Sequence, residues 1–170
     1  MGSTLDPHRL GDHLDRMYRA AWAMCGTPHD AEDLVQETCV RLLARPRRIR
    51  GHDEVGYLLT ALRNTHINRH RARARRPQTV DVADDFEVMD DSRAGRPEER
   101  VLEREVFGWV SALPDELGAA IVAVDVVGLS GPEAARSLGI TERELLHRLG
   151  RARISIAGRL AASATPGVSR

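Results

Sequence analysis

Between Pro77 and Pro97 the chain loses all sustained apolar spacing. Asp, Ala, Ser, Gly and Pro dominate there, and apolar residues return at helical intervals on either side. This break constrains the fold most. It divides 170 residues into two short blocks, each the size of one small domain. Hydrophobic residues make up 42% of the chain and aromatics only 4%, so aliphatic side chains and alanine must fill the interior. Such a composition favours packed helices over a β-sandwich.

In the first block Leu10, Leu14, Met17, Tyr18, Ala21, Trp22 and Cys25 recur at helical spacing up to Gly26. Thr27 then offers a cap, Pro28 fits a first helical position, and Asp30, Glu32 and Asp33 suit the positive end of a dipole. The second helix is expected to bury Leu34, Val35, Thr38, Leu42 and Leu43 and to show Asp33, Glu37, Val40 and Arg41 on its other side. It ends before Pro46, with a basic loop from Arg45 to Gly51. Asp53 caps a third helix whose apolar face is Val55, Leu58, Leu59, Leu62 and His66.

In the second block the stripe Val101, Leu102, Val106, Trp109, Val110 and Leu113 predicts a helix that breaks at Pro114. Leu117, Ala120, Ile121 and Val124 predict another, stopping at Gly128. Ser130 and Glu133 form a capping box that opens a short helix through Ala134, Ala135 and Leu138 to a turn at Gly139. Thr141 and Glu144 form a second box, opening a helix with Leu145, Leu149, Ala152 and Ile156 inward. The expected fold class is all-α, with two small helical domains at 8–76 and 98–160, a flexible acidic linker at 77–97 and a tail at 161–170.

The formal charge of zero conceals segregation. Residues 41–76 carry eleven Arg against two acids, residues 81–105 ten acids against four Arg, and residues 136–170 seven Arg against two Glu. Lysine is absent, so arginine number alone says little; the two separate basic blocks predict two anion-binding surfaces. The first is the third helix, which turns into an arginine rail of Arg63, Arg69, Arg71, Arg73, Arg75 and Arg76. Asn64 and Asn68 lie four apart within it, on one helix face. Guanidinium groups suit phosphates and amides suit base edges, so the pairing points to nucleic acid held in a defined register.

The second surface is a helix-turn-helix. A short helix, a Gly-containing turn and a capped longer helix carrying Arg143, His147, Arg148 and Arg151 match that motif. Its geometry places Arg143, Glu144 and His147 at base edges and Arg148, Arg151 and Arg153 at phosphates.

No Gly-rich phosphate loop or serine elbow is present, and no lysine could complete a Walker motif, which argues against an enzyme. No cofactor is expected. Cys25 and Cys39, with His13 and His29 nearby, are better read as buried thiols than as a metal site. No apolar run approaches the ~20 residues of a membrane span, and the start of the chain lacks the pattern of a signal peptide. The expectation is a soluble, cytoplasmic protein with no membrane insertion.

Taken together, the two blocks resemble the group IV, or extracytoplasmic-function, sigma factors of bacterial RNA polymerase. Asp30 to Arg41 resembles the region 2 segment that docks on the clamp helices of the largest polymerase subunit. Asn64-Thr65-His66-Ile67-Asn68 with Arg71 resembles the segment that recognises and melts the −10 element. Leu113-Pro114, Asp125 to Ser130, Leu138-Gly139-Ile140 and Arg148 to Arg153 resemble the region 4 signature.

The resemblance implies that Asp33, Gln36, Glu37, Val40 and Arg41 hold the polymerase core. It implies that Tyr57, Arg63, Asn64, His66, Asn68, Arg69 and Arg71 meet the −10 element, and that Arg143, Glu144, His147, Arg148 and Arg151 meet the −35 element. It also implies contact with the flap of the second-largest subunit and control by an anti-sigma factor. The linker acids Asp81, Asp84, Asp85, Glu87, Asp90 and Asp91 would then mimic nucleic acid in the polymerase channels, or serve only as a solubilising tether.

Three departures stand out. Tyr57 occupies the place of a usual Trp, Gly131-Pro132-Glu133-Ala134-Ala135 replaces a bulkier run, and Glu142-Arg143-Glu144-Leu145 opens the recognition helix. The alternative reading is a one-component helix-turn-helix regulator that binds palindromic duplex DNA as a dimer without polymerase. Two separate basic blocks weigh against it.

Overall fold

A computed structural model describes residues 3–4, 10–44, 48–49, 54–75 and 97–163. The predicted linker, with its acids and with Phe86, Val88 and Met89, lies outside the described residues, as do Asp53 and the end of the tail.

Three helices form the first block: α1 (Leu10–Cys25), α2 (Pro28–Ala44) and α3 (Glu54–Arg75). The fold is all-α apart from a two-residue antiparallel ladder, in which β1 (Ser3–Thr4) pairs with β2 (Arg48–Ile49) inside the expected basic loop. Gly26 ends α1 at φ +83°, and a Cβ there would lie 2.5 Å from the Ser111 hydroxyl, so glycine is required twice over. Thr27 caps α2 as predicted, its hydroxyl oxygen accepting from the Asp30 N–H at 3.2 Å.

The second block contains α4 (Pro97–Ser111), α5 (Asp115–Ile121), a widened π turn (Val122–Val126), α6 (Gly131–Leu138) and α7 (Glu142–Ser163). The sequence predicted one regular helix up to Gly128; the π turn replaces its end. Glu133 accepts a hydrogen bond from the Ser130 N–H at 2.8 Å, as its capping box requires, and a further one from the Ser130 hydroxyl at 2.6 Å. Gly139 takes the left-handed conformation at φ +68°, and the Ile140 N–H reaches back to the Ala135 carbonyl at 3.0 Å. The second box is only half formed. The Glu144 N–H donates to Thr141 Oγ1 at 3.2 Å, but the Glu144 carboxylate turns instead to Arg148.

Four residues of the expected apolar stripes are exposed, the first of them Leu14 at 43%. Leu43 is 51% exposed, because the inward row of α2 is Leu34, Val35, Thr38 and Leu42, and Leu43 lies about 100° further round. Val101 and Leu102 are also exposed, while Phe107, absent from the predicted stripe, is buried. Its partner selects that register: Trp22 of α1 meets Phe107 edge-on with centroids 5.2 Å apart.

The two blocks, expected as small helical domains on either side of a linker, are packed together. Arg19 Nε donates to Glu103 at 3.1 Å, and the Thr60 hydroxyl donates to the Ser137 carbonyl at 3.0 Å. Val127, just past the π turn, is buried over a groove between α1 and α3 lined by Met17, Ala20, Leu58 and Leu62. One continuous core results, with Leu34, Leu58, Leu62, Leu145 and Val122 fully enclosed.

Candidate nucleic-acid interface

The outer row of α3 carries Tyr57, Asn64, Asn68 and Arg71 at offsets of 0, 7, 11 and 14 residues, which places them along one stripe. Asn64, Asn68 and Arg71 are exposed. Tyr57, at the foot of the row, is half-buried against the core, so its ring is fixed in place. Four polar or aromatic groups thus line a straight edge about 20 Å long.

The other residues expected on this surface face elsewhere. Arg63 and His66 line a cleft between α3 and the second block, opposite Ser111 and Asp115. Within it, His66 Nδ1 lies 3.7 Å from Cys25 Sγ and the His66 ring meets His70 edge-on at 4.5 Å. Burial holds the His66 pKa below its ordinary value; His70, Arg69 and Arg73 push the same way, and Asp115 opposes them.

Arg69 turns towards α2. Its Nη2 lies 3.8 Å from Asp33 Oδ2, its Nε 3.8 Å from Glu37 Oε2, and its Nη1 donates to the Asp30 carbonyl at 3.5 Å. Arg73 reaches Asp30 Oδ1 at 3.4 Å. The Asp30 pKa falls below the usual carboxylate value: burial, the largest single influence, pushes it up but is outweighed by hydrogen bonds from Thr27 and Arg73 and the charges of Arg73 and Arg69.

On the outward face of α2, Asp33, Gln36, Val40 and Arg41 are exposed and Glu37 is half-buried. Arg41 Nη2 grips Glu37 at 2.6 Å. Val40 is 66% exposed, and Leu43 continues its apolar row one turn on. The pattern is a polar patch with two apolar contacts, the second of which the sequence reading assigned to the core.

Of the α7 residues expected to meet base edges or phosphates, Arg143, His147 and Arg151 are exposed and spaced four apart on one face. Glu144 and Arg148 are bound to each other at 2.7 Å, so neither projects independently. Arg153 forms a forked pair with Asp125 of the π turn at 2.6 and 3.0 Å and is committed to the fold. Asp125 entered the sequence reading only as the start of the Asp125 to Ser130 segment, with no partner assigned to it.

Cys25 and Cys39 are free thiols. Burial, reinforced by Asp30, pushes the Cys25 pKa up to about 11, and burial raises that of Cys39. Neither is poised as a thiolate. His13 pairs with Glu54 at 3.3 Å and His29 with Asp33 at 3.8 Å. Among the described residues no group of three or more His, Cys, Asp or Glu could hold a metal, and no helix is long and apolar enough to cross a membrane.

Comparison with known proteins gives these surfaces a context. The sigma-70 region 2 family matches residues 10–76, the block that holds α1 to α3. Over 149 residues the chain is 33% identical to the ECF RNA polymerase sigma factor SigE of Mycolicibacterium smegmatis, covering 80% of this chain and 55% of that protein. The chain therefore spans about half the length of that relative. Among solved structures, the sigma factor RpoE from Bartonella quintana, in complex with the anti-sigma factor NepR, superposes with a TM-score of 0.66 at 21% identity, covering 96% of this chain and 97% of that one. CnrH in complex with the cytosolic domain of CnrY gives 0.62 at 23% identity, covering 92% and 88%. At these identities the structural matches establish a shared fold.

Proposed function

The chain belongs to the extracytoplasmic-function branch of the sigma-70 family, and from that premise we propose that it directs RNA polymerase core to a specific set of promoters. The reading divides the labour between the helices. The outward face of α2, with Asp33, Gln36, Glu37, Val40, Arg41 and now Leu43, docks on the polymerase core. The α3 row reads and opens the −10 element, and the exposed arginines of α7 with His147 read the −35 element. In domain terms, residues 8–76 act as region 2, 77–97 as a linker and 98–160 as region 4. The protein works as a binding factor and not as an enzyme.

One observation carries this reading: Asn64 and Asn68 stand exposed on one stripe, with Tyr57 fixed at one end and Arg71 at the other. Opening a duplex costs a few kcal/mol per extruded base. Amide hydrogen bonds to an exposed base edge are worth about 1–3 kcal/mol each, and stacking on an aromatic ring about as much. A row that supplies both, with an arginine to hold the phosphate beside them, meets that cost.

An anti-sigma factor is a further proposed partner, supported by the two structural relatives, RpoE bound to the anti-sigma factor NepR and CnrH bound to the cytosolic domain of CnrY. It would have to cover the α2 face, the α7 face, or both.

The test is run-off transcription with purified core polymerase and a library of promoter fragments, with and without this protein. Initiation at defined sites only in its presence is the expected result. Absence of initiation, together with sequence-specific duplex binding by the protein alone, overturns the reading in favour of a one-component regulator.

A further inference from the structure

Arg69 connects the two faces to which different partners are assigned. It belongs to α3 and follows Asn68 directly, yet its guanidinium lies over α2, between Asp33 and Glu37. Its side chain is only 22% exposed, while the carboxylates that hold it are 47% and 36% exposed. Both ion pairs measure 3.8 Å, well beyond the 2.7–2.9 Å typical of a tight charge-assisted hydrogen bond. Glu37 is meanwhile shared with Arg41 at 2.6 Å. Arg69 is thus held by several loose contacts and by no strong one. Two of those contacts come from acids that a polymerase surface would engage, and the third is a long bond to the Asp30 carbonyl at 3.5 Å.

We propose that Arg69 is a latent phosphate-binding residue, kept on α2 by Asp33 and Glu37 in the free chain and released towards promoter DNA when a partner takes those carboxylates. The proposal rests on the assignment of α2 as the core-docking face. A basic surface approaching α2 offers Asp33 and Glu37 closer cations than Arg69 provides. Once released, the guanidinium lies beside the Asn64–Asn68 row, where the backbone of a bound strand must pass. The coupling is reciprocal: a phosphate that captures Arg69 exposes the two carboxylates to the polymerase. Arg73, held by Asp30 at 3.4 Å, stays behind, because Asp30 is part of the α2 cap.

The first arm of the experiment needs no known promoter. A short fluorescein-labelled single-stranded oligodeoxynucleotide of mixed sequence is titrated with the full chain at several salt concentrations, and log K is plotted against log salt. Each phosphate contact contributes about 0.7 to the slope on a single strand. The near-isosteric double variant Asp33→Asn/Glu37→Gln is expected to steepen the slope by about 0.7 and to tighten binding about threefold to tenfold. Adding Arg69→Gln to that variant returns the slope to the native value, whereas Arg69→Gln alone in the native chain leaves it unmoved. Circular dichroism melts confirm that each variant is folded.

A gain that survives in the triple variant reflects general loss of negative charge and overturns the proposal. A slope already reduced by Arg69→Gln alone does so too, because Arg69 would then be free from the start. With polymerase present, promoter binding by the native holoenzyme is expected to show a slope about 0.9 steeper than that of the Arg69→Gln holoenzyme; equal slopes overturn release by polymerase. Association with core is measured separately without DNA. Its absence overturns the docking role of α2 itself, not the gate seen in the free chain.

Discussion

α3 and α7 are both 22-residue helices, each presents a basic face, and each divides its cations into an exposed row and a held row. They differ in what does the holding. On α7 the grips are short, one local and one from the π turn: Glu144 binds Arg148 one turn away at 2.7 Å, and Asp125 forks onto Arg153 at 2.6 and 3.0 Å. On α3 they are long and come from another helix that has a second surface to serve, with Asp33 and Glu37 each 3.8 Å from Arg69. Of the held arginines of α7, Arg153 ties the helix to the π turn, while Arg69 reports on what happens to α2. A basic residue's place in the sequence does not by itself decide which face it serves; its carboxylate partner does.

The largest expected effect tests whether the two helices share one body. Leu62 and Leu145 are both fully enclosed. Truncating either to Ala should cost about 2–5 kcal/mol, and because the blocks share a core each truncation should lower a single cooperative unfolding transition. Two separable transitions, only one shifted by each variant, would break the picture of a single body. Next comes Asp125→Asn, which removes the fork on Arg153. A partly exposed pair is worth up to about 1 kcal/mol, so thermal melts should shift down by roughly 2–4 °C, and −35 duplex binding should weaken with it. An unchanged melt would mean that the fork does not position α7.

A smaller effect is expected for Glu144→Gln. A solvent-screened i,i+4 pair contributes little, so freeing Arg148 should change duplex affinity by less than about threefold, in contrast to the Asp33→Asn/Glu37→Gln variant. A gain of tenfold or more would erase the distinction between the two helices. The smallest effect is a pH dependence. His66 has a folded pKa below its ordinary value, so its contribution to stability is complete above about pH 6.5 and is lost as the pH falls through the lower folded value. Melts between pH 7.5 and 5 should fall more steeply for the native chain than for His66→Gln. Identical profiles would contradict the burial of that imidazole.

Much of this was legible in the sequence because it is local. Caps at Thr27 and Ser130, stops at Gly26 and Gly139 and the apolar rows of α2, α3 and α7 follow from spacing within one turn or two. The residues that went astray depend on a neighbour from elsewhere in the chain. Phe107 is inward because Trp22 meets it, and Leu43 is outward because nothing covers that end of α2 among the described residues. The site shows the same division. The Asn64–Asn68 row could be read from a four-residue interval, but the diversion of Arg69 to Asp33 and Glu37, and of Arg153 to Asp125, could not. Charge counts locate a basic helix without revealing which of its cations another helix has already engaged.

The most direct test of the central claim is promoter opening by holoenzyme carrying Asn64→Ala/Asn68→Ala, read as permanganate reactivity of unpaired thymines around the −10 element. Affinity for core is measured alongside, without DNA. The account predicts core affinity within about twofold of the native protein, because the row lies off the α2 face, and a loss of opening of at least about tenfold, since each amide contact is worth 1–3 kcal/mol. Undiminished opening by the variant would contradict the assignment of the α3 row as the −10 reader.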